Sequence, residues 1–339
     1  MSKIVVNYAL DGATSSIRPE DLAKLTHLNI AFGQIQNDCS IRVDHLTLLS
    51  KISYFKSQNP NLKIILSIGS GAYESFSNGA STEENRKKVA QSCVEVILKY
   101  GLDGIDYDWE YPCCPSNGIA SSPNDKENFT ELCREIRAAL DTITTKHCLF
   151  TIAAGGDAYY LDFTEMDKVQ QYLDYVFVMT YDFRCGFHSL TGHHTNLYRS
   201  TGDIFRTSCK DALEMYNKAG VPMEKLVLGV AFYSRQWFDV PVANNGFLQY
   251  VKTNGGYGPS YTTLKADFID KNGYVRYWDD ESKAPYLFNG NNFISYDDKE
   301  SVAAKCAYVK EINCAGAFAW DYSSDDTGDL LDAMYTNLK

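Results

Sequence analysis

Eight short apolar segments, most followed by a stretch of helical period, predict an α/β protein built as a (β/α)8 barrel. One interval is far longer than the others, and it predicts a small α+β module inserted between the seventh and eighth strands. No Gly-x-Gly-x-x-Gly turn follows any of the segments, which leaves an open doubly wound sheet without its usual mark.

The predicted strands run over 3–9, 27–32, 63–68, 104–110, 148–153, 175–181, 226–232 and 316–320. Each is rich in β-branched or aromatic residues and apolar on both faces, as a strand covered by helices must be. Between them, 82–100 and 124–140 carry the clearest helical period. The barrel is assigned to 1–235 and 301–339, and the module to 236–300. Within the module, 273–278 and 285–296 read as antiparallel strands, with Asn289-Gly290 as a hairpin turn. Loops at the carboxyl end of a barrel build the site, so the module is expected to wall a cleft.

The chain has 339 residues and a formal net charge of −11, which argues against nucleic acid or an anionic membrane as partner. A neutral ligand fits better, and 24 tyrosines suit a carbohydrate cleft as well as a core. The amino terminus shows no basic segment followed by an apolar one, and no apolar run reaches membrane-spanning length. The sequence as given therefore predicts a cytoplasmic or otherwise intracellular protein, or a secreted one if a leader was removed. Ten cysteines without a Cys-x-x-Cys pair read as thiols rather than a disulfide framework.

Asp106, Asp108 and Glu110 alternate with Tyr107 and Trp109 at the end of the fourth predicted strand. Alternation puts the three carboxyls on one face, their Cα atoms roughly 6–7 Å apart. Such crowding raises carboxyl pKa values and tunes them for acid chemistry. Glu110, at the rim, is best placed to protonate a leaving group, while Asp103 is out of phase and reads as structural. Two-carboxylate glycosidases need acids that flank the scissile bond. Acids on a single strand approach from one side, which points to a nucleophile on the substrate itself, such as an acetamido group.

Asp103-x-x-Asp106-x-Asp108-x-Glu110 resembles the signature of glycoside hydrolase family 18, the chitinases and their relatives. Ser67-Ile-Gly-Ser-Gly71 resembles the family's third-strand motif, with Ser70 in place of a glycine. Met179-Thr-Tyr-Asp182, Phe232-Tyr-Ser-Arg235 and Ala317-Phe-Ala-Trp320 resemble the motifs of the sixth, seventh and eighth strands. Residues 236–300 resemble the chitinase insertion domain, including Arg276-Tyr-Trp-Asp279 and Ile294-Ser-Tyr-Asp297.

The resemblance implies retaining, substrate-assisted, endo-type hydrolysis of β-1,4-linked N-acetylglucosamine chains by a monomer, with no metal or cofactor. It implies that Glu110 is the acid, that Asp108 orients the acetamido group, and that Asp106 exchanges a proton or hydrogen bond with Asp108. Tyr181 would hold the acetamido oxygen and Trp320 would floor the pocket. Met179, Asp182, Tyr233 and Arg235 would line it, with Tyr8, Phe32 and Tyr111 as further substrate contacts; apart from the resemblance, Trp237 reads equally as a platform for a further sugar or as packing. Trp278 is a further candidate platform, Trp109 reads as core, and His193-His194 as a polar loop feature rather than a metal site. Relatives also imply cis peptides at Ala31–Phe32, Glu110–Tyr111 and Trp320–Asp321. Two other activities compete: an endo-β-N-acetylglucosaminidase acting on N-glycan cores, and a chitin-binding lectin that does not cut.

Overall fold

A computed structural model describes residues 2–69, 75–115 and 119–339. Eight parallel strands close into a barrel: β1 (Ile4–Leu10), β2 (His27–Ile35), β4 (Lys63–Ile68), β5 (Gly104–Tyr107), β6 (Leu149–Gly155), β7 (Tyr175–Met179), β8 (Leu226–Ala231) and β14 (Gly316–Trp320). The ring shuts because β1 pairs with both β2 and β14. A two-residue strand, β3 (Ile41–Arg42), folds back on the end of β2.

Strand alternation divides the apolar side chains into two sets. Ile4, Val6, Phe177, Val227 and Phe318 fill the barrel interior, while Val5, Ile64, Ile105, Ile152 and Val176 face the helices. The helix Glu83–Tyr100 starts where the Thr82 side chain accepts the Asn85 N–H and ends at Gly101, whose φ of 70° closes the last turn. The helix Asp125–Leu140 buries Phe129, Leu132, Cys133 and Ile136 at helical spacing.

The fourth predicted strand is shorter than expected. β5 ends at Tyr107, so Asp108 and Glu110 stand in the loop that leaves the barrel. Cis peptides occur at Ala31–Phe32, Glu110–Tyr111 and Trp320–Asp321. Asp103 ties down the start of the strand, where its carboxylate accepts the Ile64 N–H at 2.8 Å and a bond from Lys56.

A second sheet is antiparallel. It comprises β9 (Tyr233–Trp237), β10 (Gly256–Ser260), β11 (Val275–Asp279), β12 (Ala284–Phe288) and β13 (Phe293–Ser295), in the order β10-β9-β13-β12-β11. The turn at Asn289-Gly290 separates β12 from β13; the Asn289 side chain accepts the N–H groups of Asn291 and Asn292, and Gly290 takes φ 90°. The loop after β7 is laced to this sheet. Gly255 donates to His188, Val251 to Ser189 and Thr191 to Gln249, all backbone bonds of 2.8–3.0 Å.

A buried ion pair fastens the same region to the barrel. Asp297, just past β13, accepts Lys305 at 2.6 Å, the Ser301 hydroxyl at 2.7 Å and the Ala231 N–H at 3.1 Å. Lys305 also donates to Thr195, whose hydroxyl bonds the Thr180 carbonyl one residue before Tyr181. Lys305 and Asp297 are fully buried, so removing either leaves an uncompensated charge. Lys305→Met is expected to lower unfolding free energy by roughly 3–5 kcal/mol in urea. A loss of about 0–1 kcal/mol, as for an exposed pair, would show that the interaction does not anchor the loop.

Candidate active site

The register of the barrel builds the site around Asp106. Asp106 lies directly opposite Ser67 on β4 and Thr151 on β6. Both hydroxyls donate to it at 2.7 Å, and Tyr8 from β1 donates at 2.8 Å. Burial raises its pKa and these three donors oppose that rise.

Asp108 is buried two residues on, and its Oδ1 meets no hydrogen-bond donor among the described residues. Desolvation, the Glu110 charge and the Asp106 charge together push its pKa well up. Glu110 has its side chain open to the cleft. The protein crowded around it still raises its pKa; the Tyr111 hydroxyl opposes this and the Asp182 charge adds to it. The two carboxyls behave as a pair that holds a proton more tightly than ordinary acids do.

The backbone must come close here. A Cβ on Gly69 would lie 2.6 Å from the Phe32 ring and 3.3 Å from the Asp108 Cβ, so the third-strand motif needs glycine at that place. Ser70 and Gly71 of that motif lie outside the described residues.

Opposite the acids, Trp320 is half-buried and stacks on Phe32 at 5.5 Å and 24°, with the Tyr8 ring 5.6 Å away. Met179 belongs to the same apolar group. Tyr181 packs against Phe318 and Tyr233, and its phenol is pushed up by burial and then by the charges of Asp108 and Glu110. Tyr111, beyond the cis bond, packs edge-on against Tyr160.

Asp182 sits at φ 60° and holds the other wall together. It accepts both Nε (2.7 Å) and Nη2 (2.6 Å) of Arg235 and the Tyr233 hydroxyl (2.8 Å). Burial alone would raise its pKa, but His194 and Arg235 beside it hold the carboxyl well below the usual range. The His194 Nδ1 stands 3.7 Å from Asp182, and His193 contacts Asp279 at 3.1 Å.

A family model for glycosyl hydrolases family 18 matches residues 4–325. The chain belongs to glycosyl hydrolases family 18. Chitinase A1 of Niallia circulans is 37% identical over 86% of this chain, a match that takes in 44% of the relative's length. The structure of a family 18 N-acetylglucosaminidase from Paenibacillus barengoltzii is 51% identical, with a TM-score of 0.96 and 99% of each chain covered. An Ostrinia furnacalis Group IV chitinase, solved in complex with allosamidin, is 28% identical with a TM-score of 0.87, covering 99% of this chain and 98% of that one.

In this family 18 chain two residues expected to touch substrate do not sit where they could. Trp237 is fully buried in the second sheet, packed against Phe293, with its Nε1 donating to the His188 carbonyl at 2.9 Å. It is core of the second sheet. Tyr8 is 1% exposed and spends its hydroxyl on Asp106, so it supports the acid instead of meeting a ligand. Trp109 faces the helices and stacks on Phe76.

Nothing in the local sequence marks Ser67 and Thr151 as partners of Asp106, because only the barrel register places them beside it. No local pattern marks Tyr257: its ring lies over the Arg235 guanidinium at 3.7 Å, from a glycine-rich stretch with no strand signal.

A carboxyl whose pKa is higher folded than unfolded takes up a proton on folding. Its contribution favours the fold in acid and is lost as pH rises through the folded value. Asp108→Asn removes that cost. The variant is expected to melt above wild type at pH 7, with the gap closing below about pH 4, where the carboxyl is protonated in both states. A gap independent of pH would show that Asp108 is not the raised group.

Proposed function

We propose that the protein hydrolyses β-1,4-linked N-acetylglucosamine chains by a retaining mechanism in which the substrate's acetamido group is the nucleophile. The observation that carries this is the one-sided acid cluster, with a buried Asp108 oxygen that has no partner among the described residues, beside Glu110. A group that costs so much to bury calls for a donor supplied by the ligand. An acetamido N–H is such a donor.

Glu110 protonates the glycosidic oxygen as the acetamido carbonyl oxygen attacks C1. The bond to the leaving sugar breaks and an oxazolinium forms. Asp108 accepts the acetamido N–H and balances the positive charge of the ring. Glu110, now a carboxylate, takes a proton from the water that opens the oxazolinium, which restores the acid and leaves the anomeric configuration retained. Asp106, held by its three hydroxyls, biases the proton of Asp108 from the neighbouring position. Tyr181 binds the acetamido oxygen, and Trp320 with Phe32 and Met179 receives the apolar face of the sugar. Arg235, Asp182 and Tyr233 shape the opposite wall, and residues 236–300 act as a module that builds it.

Whether cleavage falls within the chain or at its end gives two readings. Internal cleavage is the reading supported by the likeness to an endochitinase of Manduca sexta, 29% identical over 80% of this chain. Release of single N-acetylglucosamine units is favoured by the 51% identical structure described as an N-acetylglucosaminidase. A lectin fits less well, because the acid, its neighbour and Tyr181 are all in place.

Product analysis on chitohexaose tests the proposal. Wild type is expected to release a mixture of shorter oligomers, and Glu110→Gln to lose about 10²–10⁴-fold in kcat while still binding. Monosaccharide as the sole early product would establish the terminal reading. Binding without turnover by wild type would leave a lectin.

A further inference from the structure

Tyr257 stands on β10, the edge strand of the second sheet, directly opposite Arg235 on β9. Opposite residues on neighbouring strands share a face, and here the guanidinium carbon of Arg235 lies 3.7 Å from the centre of the Tyr257 ring. Arg235 cannot follow a moving ring, because Asp182 holds it in a two-point bond. The pairing slips between Tyr257 and Ser260, the kind of irregularity that re-aims a side chain at a sheet edge.

One face of the ring is thus covered by a fixed cation, yet 69% of Tyr257 remains exposed. An exposed tyrosine alone needs no explanation. This one lies by the catalytic cleft: besides the protein packed round it, the charges of Asp182 and Glu110 act on its hydroxyl. It also ends a series of rings. Tyr181 meets Tyr233 at 5.8 Å, and Tyr233 meets Tyr257 at 5.8 Å. Tyr257 is therefore two ring contacts away from the residue beside the acids.

We propose that Tyr257 is a stacking platform for a sugar other than the one seated on Trp320, and that it sets a preference for longer chains. This rests on the reading of the site as a hydrolase of N-acetylglucosamine chains. The pre-formed ring costs little side-chain entropy to use, since Arg235 already holds it in place.

The test compares kcat/KM for chitohexaose with that for a chromogenic N-acetylchitobioside, in wild type, Tyr257→Leu and Tyr257→Phe. Leucine keeps apolar bulk on Arg235 but removes the aromatic face. It is expected to lose about tenfold more on chitohexaose than on the short substrate, mostly through KM, while phenylalanine keeps the wild-type ratio. Equal losses on both substrates, or an unchanged ratio, would overturn the platform and leave the functional reading standing. Wild type that cleaves neither substrate would overturn the functional reading itself and the platform with it. Melting curves on both variants exclude misfolding as the source of a loss.

Discussion

Three carboxyls at the end of one barrel strand cannot all be ionised, and the rest of the site is arranged around that constraint. At Asp106 three hydroxyls from three other strands oppose the rise that burial imposes on its pKa. Asp108 has no such help among the described residues: one oxygen is buried without a donor, with a carboxyl on either side. A proton must therefore stay in the Asp108–Glu110 pair at pH values where isolated acids have lost theirs. In the proposed mechanism the same arrangement keeps Glu110 ready to donate and leaves Asp108 to take a donor from the ligand. Acidity and recognition come from one local conflict, resolved differently on each residue by the number of hydroxyls that reach it.

The facing wall has the opposite electrostatics. Asp182 is held ionised by Arg235, Tyr233 and the nearby His194, so its charge is fixed where that of Glu110 must change. Rigidity here comes from the far side of the fold. Lys305 and Asp297 join a surface helix to the end of β8 and, through Thr195, to the Thr180 carbonyl beside Tyr181. Backbone bonds from the loop after β7 to the second sheet complete the frame. A buried ion pair contributes little net stability compared with an apolar substitute, so its value here lies in fixing one geometry.

Much of the fold is legible in the sequence, because a strand buried on both faces must be apolar at nearly every position, and eight such runs stand out. The acids are legible for the same reason inverted: alternation exposes three charged residues where apolar ones are expected. Strand ends and register are not legible. Glu110 falls beyond β5, and Ser67 and Thr151 reach Asp106 only through their lateral pairing, which no local pattern encodes. Trp237 shows a different limit. A tryptophan on a strand can face a ligand or a core, and its burial against Phe293 is decided by which side of the second sheet is packed. Tyr257 lies among glycines that give no strand signal, and only pairing with Arg235 reveals it.

The central claim is that the acids act from one side and the substrate supplies the nucleophile. The anomer first formed from a chitooligosaccharide, followed by proton NMR before mutarotation, tests it most directly. The account predicts the β-anomer, from two inversions at C1. Initial release of the α-anomer would mean a single displacement by water from the opposite face, which this one-sided cluster cannot direct, and would contradict it.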